Sequence, residues 1–135
     1  MAQQTPLAGA VIVSTPQDIA LIDARRGIAM FEKVNIPLLG LIENMSSFCC
    51  PNCHHVTPIF GHGGARLEAE RRGIPFLGEI PLELKIRETS DDGRPIVAIE
   101  PESVHALRYI DIAREVWTAV ASGAASRPAP RIVIE

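Results

Sequence analysis

The stretch that decides the fold runs from residue 10 to residue 42 and reads AVIVSTPQDIALIDARRGIAMFEKVNIPLLGLI. Its two ends, residues 10–14 and 38–42, are short continuous apolar runs, which are typical of strands buried on both faces. Between them, apolar residues recur at helical spacing over residues 17–35, and Pro37 ends the pattern. A strand, a helix and a strand within about 30 residues predict a β-α-β unit with parallel, adjacent strands.

The pattern breaks after Asn44, where residues 44–64 contain all three cysteines of the chain together with two prolines and three glycines. Long irregular segments inside a compact domain usually serve a function or are disordered. We therefore expect Asn44 to end the second strand and residues 44–64 to form a functional loop.

The rest of the chain predicts one more strand and further helices. The expected elements are a short helix over residues 65–72, a strand over 76–80, a helical turn over 82–89 and a last helix over 101–122. Trp117 falls on the apolar spacing of that last helix, so we expect it in the core. Residues 123–135, which are rich in Ala, Ser and Pro, predict a flexible C-terminal tail.

These elements amount to an α/β fold with three parallel strands and about four helices. A parallel sheet needs cover on both faces, and a three-stranded one leaves two open edges that proteins normally protect. We therefore interpret residues 1–122 as part of a larger doubly wound domain.

Composition excludes several classes of function. The chain has 135 residues, of which 47% are hydrophobic, and 13 basic against 16 acidic side chains give a formal charge of −3. This balance, with no basic run, argues against a nucleic-acid partner. No apolar stretch approaches the roughly 20 residues of a membrane span. The first residues, MAQQTPLAGAVIV, lack the basic start of a signal peptide, so we expect no membrane partner and a cytoplasmic location.

The motif Cys50-Pro51-Asn52-Cys53 predicts half of a metal site. Two thiolates on one tight turn can bind the same metal centre, and the backbone N–H groups of the turn can stabilise their charge. Zinc and iron–sulfur sites usually need four ligands, so two more must come from elsewhere.

Four interpretations remain open on the residues alone. Two of three nearby histidines could complete a zinc site within one chain, or a second copy could donate its own cysteine pair across a two-fold axis. A glutaredoxin-like redox pair is a third possibility, and ordinary thiols in a turn are the fourth. Cys49 lies outside the pair and is interpreted as a spare thiol. The three histidines considered for the zinc interpretation are His54, His55 and His62.

Several linked motifs resemble the Mrp/ApbC family of iron–sulfur cluster carriers, which are ParA/MinD-like P-loop ATPases. This resemblance implies the C-terminal part of a P-loop NTPase-like sheet. It also implies that Cys50 and Cys53 bind a [4Fe-4S] cluster shared across a homodimer, for transfer to apo iron–sulfur proteins. The motifs, in chain order, are STPQ at residues 14–17, LGLIENMS at 39–46, CPNC at 50–53, PIFGHGG at 58–64 and LGEIPL at 77–82.

The same resemblance implies nucleotide contacts at Asn44, which would hydrogen-bond the adenine, and at Pro81, near the base. The family's P-loop and Mg-linked aspartates have no counterpart here, and the two lysines, Lys33 and Lys85, do not follow a glycine as a P-loop lysine does. We therefore expect ATP and Mg only in the full-length family, and no hydrolysis by this chain alone.

One departure concerns the cysteine turn, because the family often has glycine where this chain has His54. The alternatives to a cluster carrier are a zinc-knuckle interaction module and a non-functional fragment.

Overall fold

The computed structural model describes residues 7–122, and it confirms the predicted β-α-β unit. The unit consists of β1 (Ala10–Ser14), α1 (Asp18–Lys33) and β2 (Leu38–Cys49), with β1 and β2 parallel. The tail predicted for residues 123–135 lies outside the described residues. The remaining elements are β3 (Val56–Thr57), α2 (Gly64–Arg72), β4 (Phe76–Leu82), α3 (Leu84–Asp91), α4 (Ile96–Ile99) and α5 (Val104–Ala121).

The sheet is centred on β2. It pairs with β1 on one side and with β4 on the other, both in parallel. Its far end also pairs with the short antiparallel strand β3, so that Phe48 lies opposite Thr57 as well as Leu82. Three parallel strands are therefore present as predicted, and β3 is an addition that the sequence pattern did not indicate.

Helices cover both faces of the sheet, because successive strand residues alternate between two apolar clusters. On one face, α1 and α2 pack on strand residues that include Ile12 and Leu41. On the other face, α5 places Ile112 against Leu77 and Ile80 of β4. This layering is that of a doubly wound α/β fold. Within residues 7–122, no helix combines the length and the apolar character needed to cross a bilayer.

The predicted end of the second strand is wrong, because β2 continues beyond Asn44 as far as Cys49. Met45 has a left-handed backbone (φ 57°), and the pairing with β4 is irregular between Asn44 and Phe48. The strand thus bends and then resumes its pairing. The polar run after Asn44 concealed this continuation, since it lacks the apolar signal of a buried strand.

The expectation for Trp117 is also wrong, since 73% of this residue is exposed. The inner face of α5 carries Ile112 and Val116, which are one turn apart and pack near β4. Trp117 follows Val116 directly and is therefore rotated by about 100° away from that face. It borders a shallow surface groove beside Ile110.

Two glycines allow a matched test of how tightly β2 packs against the side chains of β4. A methyl group on Gly40 of β2 would lie 2.7 Å from Cδ1 and 2.8 Å from Cδ2 of buried Leu77. We expect Gly40→Ala to lower the free energy of unfolding by about 1–3 kcal/mol through overpacking. In α1, a methyl group on Gly27 meets Ile12 at an ordinary 3.7 Å. Gly27→Ala should therefore raise stability by about 0.5–1 kcal/mol.

Urea unfolding followed by far-UV circular dichroism measures both changes. Equal effects of the two substitutions would contradict the close approach of Leu77 to Gly40.

Candidate functional site

The cysteine pair lies in a hairpin that extends the central strand of the sheet. The backbone N–H of Cys50 donates to the carbonyl of His55 at 3.0 Å, and the N–H of His54 donates to the carbonyl of Cys50 at 2.9 Å. These two bonds close a turn over residues 50–54, between the end of β2 and the start of β3. The pair is therefore held by local backbone geometry at one end of a core strand.

The turn favours the thiolate form of Cys50. The pKa of its thiol is lowered because the backbone N–H of Cys53 hydrogen-bonds the sulfur, and the N–H of Asn52 and the thiol of Cys53 act in the same direction. The thiolate is the form of cysteine that binds metals. Cys53 is exposed and Cys50 is partly exposed, so an incoming metal centre can reach them.

The departure from glycine at His54 has a structural consequence. His54 has a left-handed backbone with φ of 58°, a region that glycine occupies without the steric cost a side chain incurs. The turn therefore has the conformation that suits glycine, with a histidine in its place.

Cys49 does not join the pair. Its thiol donates to the carbonyl of His54 at 3.7 Å, across the base of the hairpin. The structure thus places Cys49 at the end of β2, next to the turn that carries the other two cysteines.

Within residues 7–122, no histidine joins Cys50 and Cys53 in a group of three or more metal-ligating side chains. His62 instead lies near Glu43 and Glu79. A redox pair at a helix N-terminus is not formed either, because Cys53 is followed by β3 and not by a helix.

Asn44 and Pro81 lie on neighbouring strands. The register places Asn44 beside Ile80, which directly precedes Pro81 in β4. The side-chain oxygen of Asn44 accepts the backbone N–H of Met45 at 3.0 Å. Asn44 also lines a groove of about 510 Å³ along β1 and α1. The structure therefore brings these two residues into one region of the sheet, at some distance along β2 from the cysteine turn.

Sequence reasoning missed Glu43, the most consequential side chain near the site. It is fully buried, and its carboxylate accepts the backbone N–H of Gly63 at 2.9 Å and that of Ala65 at 2.8 Å. These bonds tie β2 to the first turn of α2, where the segment from the cysteine hairpin ends. An acidic residue directly after a buried apolar strand was the available signal.

Comparison with known proteins relates this chain to proteins that carry or transfer iron–sulfur clusters. The sequence matches the ParA family model described as NUBPL iron-transfer P-loop NTPase over residues 1–117. It is 56% identical over 116 residues to the iron–sulfur cluster transfer protein NUBPL of Dictyostelium discoideum, covering 86% of this chain and 36% of the relative. It is 52% identical over 116 residues to the iron–sulfur cluster carrier protein of Escherichia coli K12, covering 86% and 31%. The chain thus spans about a third of these relatives.

Among solved structures, the septum site-determining protein MinD of Pyrococcus horikoshii, complexed with Mg-ADP, matches with a TM-score of 0.63 at 25% identity. The match covers 90% of this chain and 45% of that one. The fold is therefore part of that of MinD-like P-loop ATPases, in agreement with the sequence prediction.

The backbone at His54 leads to a stability prediction. We expect His54→Gly to raise the free energy of unfolding by about 1 kcal/mol, because glycine adopts a left-handed conformation at less cost than histidine. His55→Gly is the matched control and should be neutral or slightly destabilising, since His55 is not among the left-handed residues. A destabilised His54→Gly protein in urea unfolding would contradict the strained turn.

The thiol chemistry leads to a second prediction, on the variant Cys49→Ser/Cys53→Ser, which retains Cys50 and the backbone amides that face it. Its reaction rate with iodoacetamide should reach half its maximum at a lower pH in the folded protein than in urea. The reason is that the turn lowers the pKa of Cys50 and only the thiolate reacts. Coinciding pH profiles would show that the turn does not activate this thiol.

Proposed function

The chain belongs to the NUBPL iron-transfer P-loop NTPase family, and on that premise we propose that it carries an iron–sulfur cluster and transfers it to apo iron–sulfur proteins. The Mrp/ApbC-like motifs of its sequence support the same function. The observation that carries the proposal is the Cys50–Cys53 turn, in which backbone amides stabilise a thiolate next to a second, exposed thiol.

We propose that Cys50 and Cys53 are the cluster ligands. The hairpin holds both on one turn, and thiolates are the usual ligands of iron–sulfur clusters. A cluster bound there would be accessible from solvent, as an incoming acceptor protein requires. Cys49 is left out of the ligand set, because its thiol is directed to the carbonyl of His54 at the base of the hairpin.

The cargo we propose is a [4Fe-4S] cluster shared by a homodimer. Such a cluster takes four cysteine ligands, and each chain supplies two on this turn. Within residues 7–122, no further metal-ligating side chain joins the pair to form a group of three. A symmetric dimer would bring two identical turns together across its axis and complete the set. Because each subunit contributes only two bonds, opening the dimer would release the cluster.

Nucleotide contacts at Asn44 and Pro81 are also proposed, as contributions to a site completed by the full-length family. The Mg-ADP in the MinD neighbour is consistent with such a site in proteins of this fold. We do not assign ATP hydrolysis to this chain, because neither lysine can serve a P-loop. Lys33 ends α1, and Lys85 in α3 forms an ion pair with Glu100.

We propose a cytoplasmic site of action, with residues 1–122 acting as the cluster-binding part of a P-loop ATPase domain. The partners expected there are a second copy of the chain and apo iron–sulfur proteins.

Anaerobic reconstitution with iron and sulfide tests the cluster assignment. We expect the broad visible absorption of a [4Fe-4S] centre at about one cluster per two chains, with a dimer in size-exclusion chromatography. Cys50→Ser/Cys53→Ser should abolish the absorption and the cluster-dependent dimer, because it removes every proposed ligand. Cys49→Ser is the matched control and should retain both. The loaded protein should also restore the activity of an apo [4Fe-4S] enzyme.

Retention of the full cluster by the double-serine protein would refute the ligand assignment. Zinc bound at one per monomer, with affinity lost in His54 or His55 variants, would favour the zinc-knuckle alternative. Rapid hydrogen exchange throughout the chain would favour the non-functional fragment.

A further inference from the structure

Three metal-ligating side chains meet away from the cysteine turn. Glu43 lies on β2, Glu79 lies on β4, and His62 precedes the first turn of α2. One ligand atom from each lies within 4.8 Å of the other two. Carboxylate oxygens and an imidazole nitrogen form a recognised donor set for divalent ions such as zinc.

The register between β2 and β4 brings the two glutamates of this group together. Glu43 and Glu79 are direct partners in the parallel pairing of β2 with β4, so two carboxylates project side by side from the same face of the sheet. Like charges placed opposite one another on neighbouring strands are destabilising. Arg66 partly compensates Glu79 through an ion pair of 3.0 Å.

The charge of Glu43 is offset by backbone hydrogen bonds more than by a neighbouring basic side chain. Within the described range, residues 7–122, His62 is the only basic side chain within 4.0 Å of its carboxylate, with Nδ1 at 4.0 Å from Oε1. The two backbone N–H groups at the start of α2 supply the partial positive charge of a helix end, which amounts to about half an elementary charge.

Burying a carboxylate is costly unless hydrogen bonds or cations offset its charge. The two backbone N–H groups do part of this for fully buried Glu43, and a bound cation would offset the charge further. Each oxygen of Glu43 also accepts only one of these backbone hydrogen bonds, and a carboxylate oxygen has room for a second donor or a metal. The buried carboxylate of Glu43 thus has acceptor capacity left for a cation at the place where the three ligand atoms cluster.

We propose that Glu43, His62 and Glu79 form a binding site for one divalent ion, with Zn²⁺ as its characteristic occupant. Zinc bonds to nitrogen and oxygen are about 2.0–2.2 Å long, which puts the ligand atoms of a tetrahedral site about 3.4 Å apart. The three ligand atoms, which lie within 4.8 Å of one another, therefore need to close in by up to about 1.4 Å. The side chain of His62 is 58% exposed and is free to make this adjustment. Water fills the fourth position.

The bound ion would have a structural effect on the cysteine hairpin. The segment that leaves the hairpin after β3 returns to the sheet through His62 and Gly63. An ion held by His62 and by two strands would tether this return point to β2 and β4. The site uses no thiolate, and it is therefore separate from the proposed cluster ligands.

The test uses the full chain carrying Cys49→Ser/Cys50→Ser/Cys53→Ser, which removes every thiol. Co²⁺ serves as a coloured substitute for Zn²⁺. Titration should give visible d–d absorption without a sulfur-to-cobalt charge-transfer band, saturating at one ion per chain. Competition with Zn²⁺ should remove the colour.

Adding His62→Ala to this protein should weaken Co²⁺ binding by at least about tenfold, since even outer-shell changes cost 10–100-fold in metal affinity. His55→Ala is the matched control, because His55 is an exposed histidine outside the cluster, and it should leave the affinity unchanged. Absence of saturable binding in the thiol-free protein, or equal affinity in the His62→Ala and control proteins, would overturn the proposal.

Thermal unfolding provides the second readout. Zn²⁺ should raise the melting temperature of the thiol-free protein through its preferential binding to the folded state. The shift should be absent after Glu79→Gln, which keeps the size of the side chain and removes its charge. An equal Zn²⁺ shift in the Glu79→Gln protein would show that the ion binds elsewhere. Because no thiol is present, failure here leaves the cluster proposal unaffected.

Discussion

The contact between the Glu43 carboxylate and the first backbone N–H groups of α2 is the constraint on which the functional region depends. It fixes Gly63 and Ala65 to the central strand, while β2 itself runs on to Cys49. The segment that carries Cys50 and Cys53 is therefore anchored at both ends to the same strand. A hydrogen-bonded buried carboxylate is well suited to this task, because each of its oxygens accepts a strong, charge-assisted bond.

The anchoring gives the exposed turn the fixed position that the proposed cluster ligands, Cys50 and Cys53, require. The hairpin extends the strand with the most neighbours in the sheet, since β2 pairs with β1, β3 and β4. The turn projects from this rigid element and presents two thiols without any third ligand from residues 7–122. Two thiols on one turn are the half-set of ligands that the proposed sharing of a cluster between two chains requires.

Prediction from sequence succeeded where the signal was local or periodic. The apolar runs of β1 and β2 and the helical stripe of α1 identified the β-α-β unit, because each depends on spacing within one element. It failed for Trp117 and for the end of β2. In both cases the outcome depended on neighbouring elements of the fold. Helix α5 could have presented either side of a broad apolar stripe to the sheet. The polar end of β2 is a strand because β3 and β4 pair with it.

The sequence by itself determined the cysteine turn, because four consecutive residues and the backbone N–H groups between them contain all that a two-thiolate ligand pair needs. Only the tertiary structure decided the surroundings of Glu43. Its partners Gly63 and Ala65 lie about twenty residues further along the chain, and Glu79 stands beside it because of the register between β2 and β4. Register is set by packing over the whole sheet, and a shift of one residue would have placed the two carboxylates on opposite faces.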